Sequence, residues 1–240
     1  EWEKYPMKKE IAIMMAAGLG SRMRPLTETI PKPLVKVFGT PMIETMIAGL
    51  KRRGIDEIYV VVGYLGEQFA YLEEKYPGLT LIENKEYMEK NNISSIHAVA
   101  NLLPKADCFI CESDVYLRDT SIFDADLLKS CYYGKMVQGY SDDWLFETDN
   151  TGRIVRVKKE GTDKYNMVGI CYFKQKDAKI LADAILTEYE KPGHEQLYWD
   201  EVVDKNLDKM DMEIHKVKGD ELIEIDSVAE LQGVDPSYCQ

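Results

Sequence analysis

Residues 14–36 read MMAAGLGSRMRPLTETIPKPLVK, and this stretch decides the fold of the chain. The apolar run from Ile11 to Met15 leads directly into small residues, which is typical of a buried strand that ends in a tight turn. Gly18 and Gly20 let the backbone approach a ligand that a Cβ atom would hold off. Because backbone N–H groups in such a turn can converge on phosphate oxygens, the stretch predicts a phosphate site at the tip of the first strand.

The charge of this stretch differs from that of the whole chain. The protein carries 30 Lys and Arg against 42 Asp and Glu, a formal net charge of −12. Between residues 18 and 36, however, Glu28 is the only acid, and the cations are Arg22, Arg24, Lys32 and Lys36. This local excess of positive charge indicates that an anion binds here.

The stretch matches neither of two common phosphate-binding loops. A dinucleotide fingerprint requires a third glycine where this chain has Met23. A Walker A loop requires Gly-Lys-Ser or Gly-Lys-Thr after its spacer, and the sequence contains neither triplet.

The composition predicts a single globular domain over residues 8–240, with residues 1–7 as an N-terminal remnant or linker. The acidic balance argues against nucleic acid and anionic membrane surfaces as partners. No apolar run approaches the length of a membrane span, and the N-terminal residues lack the apolar region of a signal peptide.

Five cysteines are scattered along the chain, and two of them, Cys108 and Cys111, have C-x-x-C spacing. That spacing can indicate zinc or redox chemistry, but no second pair accompanies it. The run reads as a strand, in which positions three apart point to opposite faces. We therefore expect buried thiols in a reducing compartment, and hence a cytoplasmic protein.

Strands alternate with helices through the first half of the chain. A helix is expected from Thr40 as N-cap and Pro41 as first helical residue to Gly54. The expected strands after it are Ile55–Val62, Leu79–Glu83 and Ala106–Cys111. The helices expected between them are Gly66–Tyr76 and one that follows residues 91–95 and runs to about Leu103. This order predicts an α/β, Rossmann-like, three-layer fold with a mostly parallel sheet and helices on both faces. Ligands of such sheets bind beyond the carboxyl ends of the strands.

The second half changes pattern and predicts a smaller antiparallel extension packed on the first sheet. The expected short strands are Lys135–Tyr140, Leu145–Thr148, Ile154–Lys158 and Asn166–Phe173, with a hairpin turn at residues 150–153. Two helices, Asp177–Tyr189 and Glu195–Leu207, are expected to follow. We assign residues 8–134 to a nucleotide-binding core and residues 135–231 to the acceptor-binding part.

Two clusters in this half combine tryptophan with carboxylates: Asp142-Asp143-Trp144 and Tyr198-Trp199-Asp200-Glu201. An aromatic face attracts a quaternary ammonium without needing a hydrogen bond, and a nearby carboxylate adds charge. Composition alone is equally consistent with aromatic side chains that pack in the core.

Ala16–Thr27 together with Pro31–Leu34 resembles the signature of the sugar-phosphate and phosphocholine nucleotidyltransferases. Three further stretches are similar to the bacterial CTP:phosphocholine cytidylyltransferases in particular: Gly63–Phe69, Asn91–Ser95 and Leu197–Asn206. The resemblance spans about residues 8–231. It implies transfer of CMP from CTP to phosphocholine, which yields CDP-choline and pyrophosphate.

Other functions stay open at this point. Phosphoethanolamine or 2-aminoethylphosphonate would place a primary ammonium in the same pocket, and the neighbouring carboxylates do not exclude either. A sugar 1-phosphate acceptor is a further alternative. A non-catalytic sensor of nucleotide or choline is a different class, and it would not require Arg22, Lys32, Asp114 and Asp226 together.

The resemblance implies a role for each site residue. Asp114 and Asp226 would bind Mg²⁺, Arg22 the β- and γ-phosphates, and Lys32 the α-phosphate and the acceptor. The other nucleotide-binding candidates are Ala17, Gly18, Gly20, Ser21, Tyr64, Asn92 and Ser94. The acceptor-binding candidates are Trp144, Tyr198, Trp199 and Asp200. Alternatively, Asp114 lies in a turn or caps a helix, and Asp226 is only the N-cap of the last helix. Glu112 stands where similar proteins often carry Asp, and we assign it no role.

Overall fold

In the computed structural model of this chain, residues 9–239 are described. The expected N-terminal remnant, residues 1–7, lies outside the described residues. The strands are β1 (Glu10–Ala16), β2 (Lys36–Val37), β3 (Thr40–Pro41), β4 (Glu57–Val62), β5 (Leu79–Glu83), β6 (Asp107–Glu112), β7 (Val115–Leu117), β8 (Ser130–Thr148), β9 (Ile154–Phe173), β10 (Met212–Lys216) and β11 (Leu222–Glu224). The α-helices are α1 (Met42–Arg52), α2 (Tyr71–Lys75), α3 (Ile93–Ala98), α4 (Gln175–Tyr189), α5 (Trp199–Lys205) and α6 (Val228–Val234).

A seven-stranded sheet of order β10-β8-β9-β6-β1-β4-β5 forms the centre of the described part of the chain. Strand β1 pairs in parallel with β4 on one side and β6 on the other, and β5 extends the parallel half beyond β4. Only β9 pairs antiparallel with both of its neighbours, β6 and β8. The predicted mostly parallel α/β sheet is therefore confirmed.

Both faces of the sheet are covered by helices, which confirms the three-layer arrangement. Along β1, Ile11, Ile13 and Met15 join one buried cluster, and the alternate residues Ala12, Met14 and Ala16 join the other. Helices α3, α4 and α5 pack on the first face, and α1 packs on the second. A strand that is buried on both sides needs a continuous apolar run, which is what residues 11–16 supply.

The antiparallel half differs in form from the expectation. Strands β8 and β9, of 19 and 20 residues, are long partners of one hairpin within the central sheet, where an extension of four short strands packed on the first sheet was expected. Register shifts near Gly139 and Ser141 bend the hairpin without ending it. Gly139 lies in an irregular stretch of β8 and has a φ of +81°. A glycine at such a bulge looks in the sequence like a turn between two strands, so β8 was expected as two short strands. The turn expected at residues 150–153 is confirmed, since the N–H of Gly152 donates to the Asp149 carbonyl.

Helix α1 begins one residue later than predicted. Thr40 and Pro41 form β3, which pairs with β2, and Pro41 has the extended ψ of 135° as the residue before the helix. Thr40 therefore does not cap the helix. The predicted end is confirmed, because Gly54 has a φ of +91° and its N–H donates to the Lys51 carbonyl.

Cys108 and Cys111 are buried free thiols, as predicted, and so are Cys131 and Cys171. Burial raises the pKa of each of these thiols, which keeps them protonated and unreactive. Within residues 9–239, no group of three or more His, Cys, Asp or Glu side chains is arranged to hold a metal ion. Among the helices described, none is both long enough and apolar enough to cross a bilayer.

Candidate active site

The glycine turn after β1 borders a cavity of about 210 Å³, which we call the turn cavity. Its lining includes Ala17, Gly18, Gly20, Lys32, Asn92, Ser95, Glu112 and Asp114. Gly20 has a φ of +60°, and a Cβ there would lie 2.9 Å from the Cβ of Lys32. The hydroxyl of Thr27 donates to the Gly20 carbonyl at 2.7 Å and fixes the turn. Glycine at position 20 therefore allows the turn to pack directly against Lys32.

Lys32 lies at the centre of the site, and its side chain is only 8% exposed. Its ammonium lies 2.9 Å from a carboxylate oxygen of Asp114 and 2.9 Å from one of Asp226. Burial opposes the charge of Lys32, but Asp114 and then Asp226 outweigh it and raise the lysine pKa above its ordinary value. The ammonium is therefore charged at neutral pH and holds the two carboxylates together.

Arg22 completes this charged group from the solvent side. One of its guanidinium nitrogens lies 3.0 Å from Asp226, and its side chain is 75% exposed. A further opening of about 220 Å³ lies beside the turn, and its lining includes Ser21, Arg22, Lys32, Asp114 and Asp226. The four predicted catalytic residues thus meet at one point, although Asp226 follows Lys32 by 194 positions.

The cap of the last helix is Ser227, so the reading of Asp226 as that cap is wrong. The Ser227 hydroxyl accepts from the N–H of Glu230, and the Glu230 carboxylate accepts from the Ser227 N–H. The same carboxylate also accepts from the Asp226 N–H at 2.6 Å. This capping box fixes the Asp226 backbone and leaves its carboxylate free to face Lys32.

The pair Asp114 and Asp226 fits a divalent cation. Both carboxylates already converge on one cationic group, and two carboxylates plus phosphate oxygens are a usual ligand set for Mg²⁺. Because no third His, Cys, Asp or Glu joins them among residues 9–239, a bound metal would need oxygens from a substrate or water.

The other nucleotide-binding candidates are placed unequally. Asn92 lines the turn cavity, whereas Tyr64 and Ser94 do not. Tyr64 supports the turn from behind, because its N–H donates to the Ala17 carbonyl and its hydroxyl to the Thr27 carbonyl. Ser94 and Ser95 are both buried, and both hydroxyls accept from the Asn84 amide. Of the two, Ser95 lines the turn cavity, a difference that sequence spacing alone did not resolve.

A second cavity, of about 200 Å³, adjoins the turn cavity on the side of the hairpin, and we call it the hairpin cavity. Asn92, Glu112 and Asp114 line both cavities. Of the acceptor-binding candidates, the hairpin cavity is lined by Trp144, Tyr198 and Asp200. Trp199 lies behind it, 3% exposed and stacked on Tyr132 in the main core.

The hairpin cavity is rich in carboxyl groups. Beyond the predicted residues, it is lined by Glu112, Asp143 and Glu224. Burial raises the pKa of Asp200 to about 7, and burial with repulsion from Asp226 and Asp114 raises that of Glu224 to about 7. Burial, Asp114 and other neighbouring acids raise the pKa of Glu112 well above its ordinary value. Such a group of carboxyls favours a cationic ligand.

The sequence offered a signal for Glu112 and Glu224 that the prediction did not use. Each lies two residues before a predicted metal ligand, and strand periodicity places alternate residues on one face. Both therefore face the cleft beside Asp114 and Asp226.

An aromatic corner forms one wall of the hairpin cavity. The rings of Trp144 and Tyr198 meet edge to face, with centroids 5.5 Å apart and planes at 68°. The ammonium of Lys159 lies 5.5 Å from the Trp144 centroid and 5.0 Å from the Tyr198 centroid. The aromatic faces are thus already in contact with a cation of the chain itself.

Comparison with known proteins gives consistent matches. A model of the MobA-like NTP transferase domain matches residues 12–131. The 2-aminoethylphosphonate cytidylyltransferase of Lancefieldella rimae is 52% identical over 231 residues, which cover 96% of this chain and 94% of that protein. The choline-phosphate cytidylyltransferase of Streptococcus pneumoniae is 34% identical over 217 residues, which cover 90% of this chain and 93% of that protein. A solved structure of the CTP:phosphocholine cytidylyltransferase from that organism superimposes with a TM-score of 0.88 at 32% identity, and covers 95% of this chain and 99% of the other.

Proposed function

The chain belongs to the MobA-like nucleotidyltransferases, and from this premise we propose that it transfers CMP from CTP to 2-aminoethylphosphonate and releases pyrophosphate. The observation that carries the choice of acceptor is the 52% identity to a 2-aminoethylphosphonate cytidylyltransferase along 96% of the chain, against 34% to a choline-phosphate cytidylyltransferase. The order of the two acceptors expected from sequence is therefore reversed.

The hairpin cavity supports this choice of acceptor. A primary ammonium has N–H groups to donate, and Asp143, Asp200 and Glu224 offer oxygens that accept them. A trimethylammonium has no N–H and would donate no hydrogen bond to these carboxyls. Bringing a cation among them lowers their mutual repulsion and favours binding of the amine end there, with the phosphonate toward Lys32.

The reaction that we propose is a direct displacement. A phosphonate oxygen attacks the α-phosphorus of CTP, the bond from that phosphorus to the bridging oxygen breaks, and pyrophosphate leaves with the electron pair. No covalent enzyme intermediate is needed. Since both reactants are polyanions, positioning and charge neutralisation would supply most of the rate enhancement.

Each charged residue has a part in that displacement. Asp114 and Asp226 would hold Mg²⁺, which supplies charge neutralisation at the α-phosphate. Lys32, which pairs with both carboxylates in the free protein, would turn its ammonium toward the α-phosphate and the phosphonate. Arg22 is exposed and reaches over the turn, so it can bind the β- and γ-phosphates. The glycine turn would hold the phosphates with its backbone N–H groups.

The test is pyrophosphate release by the purified protein with Mg²⁺ and each pairing of nucleotide and acceptor. The nucleotides are CTP, UTP, ATP and GTP, and the acceptors are 2-aminoethylphosphonate, phosphoethanolamine, phosphocholine and glucose 1-phosphate. We expect the highest kcat/KM with CTP and 2-aminoethylphosphonate. A higher value for another acceptor would reject the proposed substrate, and CTP binding without any pyrophosphate release would favour a sensor.

Phosphocholine is the second candidate acceptor, because the corner of Trp144 and Tyr198 has the composition of a quaternary ammonium site. The likeness in fold to the pneumococcal enzyme favours it as well.

A further inference from the structure

The position of Lys159 is fixed by the hairpin and not by a salt bridge. Lys159 on β9 stands directly opposite Trp144 on β8 in the pairing of the two strands. Side chains at such opposed positions lie close enough to touch. No carboxylate among residues 9–239 lies within ion-pair distance of the Lys159 ammonium, whose described partners are the rings of Trp144 and Tyr198. The strand register thus directs this lysine into the aromatic corner.

The Lys159 ammonium lies on the same two rings that a quaternary ammonium ligand would use. A trimethylammonium binds to proteins chiefly through aromatic faces, because it cannot donate hydrogen bonds. In this chain it would have to displace Lys159 from both rings first. A primary ammonium is not under this constraint, since it can bind carboxyls that line the same cavity, Asp200 and Glu224.

We infer that Lys159 is a specificity-determining residue, which fills the corner of Trp144 and Tyr198 and so disfavours quaternary in favour of primary ammonium acceptors. This inference deepens the proposed function and rests on it for the identity of the acceptors.

Lys158 provides a matched control. It precedes Lys159 in β9, so its side chain points to the other face of the strand. Its ammonium pairs with Glu147 at 3.1 Å and does not contact the aromatic corner. Lys158→Met therefore removes one positive charge from the adjacent position of β9 but leaves the Lys159 ammonium against the rings of Trp144 and Tyr198.

The first experiment compares kcat/KM for phosphocholine and for 2-aminoethylphosphonate in wild type, Lys159→Met and Lys158→Met. An exposed cation–π contact is worth enough to change this ratio by about two- to fivefold. We expect Lys159→Met to shift the ratio toward phosphocholine by that factor and Lys158→Met to leave it unchanged. An unchanged ratio in Lys159→Met, or an equal loss with both acceptors, would overturn the inference.

The second experiment does not depend on turnover. Tetramethylammonium chloride is titrated into ¹⁵N-labelled wild type, Lys159→Met and Lys158→Met, with the Trp144 indole N–H resonance as the reporter. Loss of that resonance in Trp144→Phe assigns it. We expect Lys159→Met to bind tetramethylammonium about two- to fivefold more tightly than the other two proteins. Equal affinities would reject the role of Lys159, whereas absence of pyrophosphate release from wild type would reject the proposed function alone.

Discussion

Lys32 and Asp226 are separated by 194 positions in the chain, and the ammonium of the first donates a hydrogen bond to the carboxylate of the second at 2.9 Å. The contact joins the segment after β1 to the segment after β11. Asp114, two residues after the end of β6, binds the same ammonium at 2.9 Å. The carboxyl ends of distant strands therefore meet at one buried cation, and the first three predictions concern this meeting point and the wall beside it.

Lys32→Met should reduce turnover severely but preserve the fold, because methionine retains the buried stem and loses only the ammonium. We expect pyrophosphate release to fall by roughly a hundredfold or more, as is usual when a donor to a developing charge is removed. Lys36→Met, four residues along and exposed, is the control and should remain near wild type. Near-normal turnover in Lys32→Met would contradict the role assigned to this lysine.

Asp114→Asn and Asp226→Asn should each raise the Mg²⁺ concentration needed for half-maximal activity by about tenfold or more, since each removes one of two anionic ligands. The measurement is initial rate against Mg²⁺ at saturating CTP. Asp124→Asn, which lies outside the cleft and pairs with Arg52, is the control. If activity falls but the Mg²⁺ dependence does not move, the two carboxylates orient Lys32 and do not bind the metal.

The two tryptophans should respond differently to truncation. Trp199→Ala removes a core side chain that is 3% exposed, so it should lower the free energy of unfolding by about 3–5 kcal/mol. Trp144→Ala should change that free energy far less and raise KM for the acceptor more than KM for CTP. Urea unfolding and steady-state kinetics on both variants test this. If Trp199→Ala keeps the stability of wild type and raises KM for the acceptor more than KM for CTP, Trp199 contributes to acceptor binding and is not only a core residue.

Asp200→Asn should change how stability depends on pH. Burial raises the pKa of Asp200 to about 7 in the folded protein, against about 4 in an unfolded chain. Between these values the unfolded carboxyl is ionised and the folded one is protonated, so its contribution to stability falls as pH rises. Asparagine cannot ionise, yet it keeps an oxygen for the Tyr132 hydroxyl.

The stability of Asp200→Asn relative to wild type should therefore increase from pH 4 to pH 8, by up to about 4 kcal/mol. Chemical denaturation at several pH values measures the difference. A difference that stays constant across this range would mean that Asp200 is ionised in the folded protein.

Local features were predictable from the sequence and long-range contacts were not. The apolar run before Gly18 determines β1 and its turn through neighbouring residues alone. The meeting of the glycine turn with Asp114 follows from their positions at strand ends of a parallel sheet. The meeting of Lys32 with Asp226 was reached only through resemblance, because no local pattern relates residues that far apart. The start of α1 was misplaced because Pro41 fits both the first turn of a helix and the extended residue before it.

The acceptor wall was the least predictable part of the site. A tryptophan beside carboxylates has the same local sequence in a core and in a pocket, so Trp199 could not be distinguished from Trp144. The place of Lys159 depends on the register of two long strands, and the bulge at Gly139 made β8 look interrupted. Composition indicated the chemistry of this wall, whereas its geometry depends on how the hairpin bends.

The hairpin of β8 and β9 is separate in sequence from the charged residues around Lys32. Under the proposed function, the reacting phosphates would be bound by residues that follow β1, β6 and β11, whereas Trp144 and Lys159 belong to β8 and β9. Substitutions in the hairpin could therefore change the fit of the acceptor's amine end without altering the groups assigned to the displacement, while Tyr198, Asp200 and Glu224 complete the same cavity from outside the hairpin. New acceptor preferences could arise through substitutions in β8 and β9 while the residues that act on the phosphates stay the same.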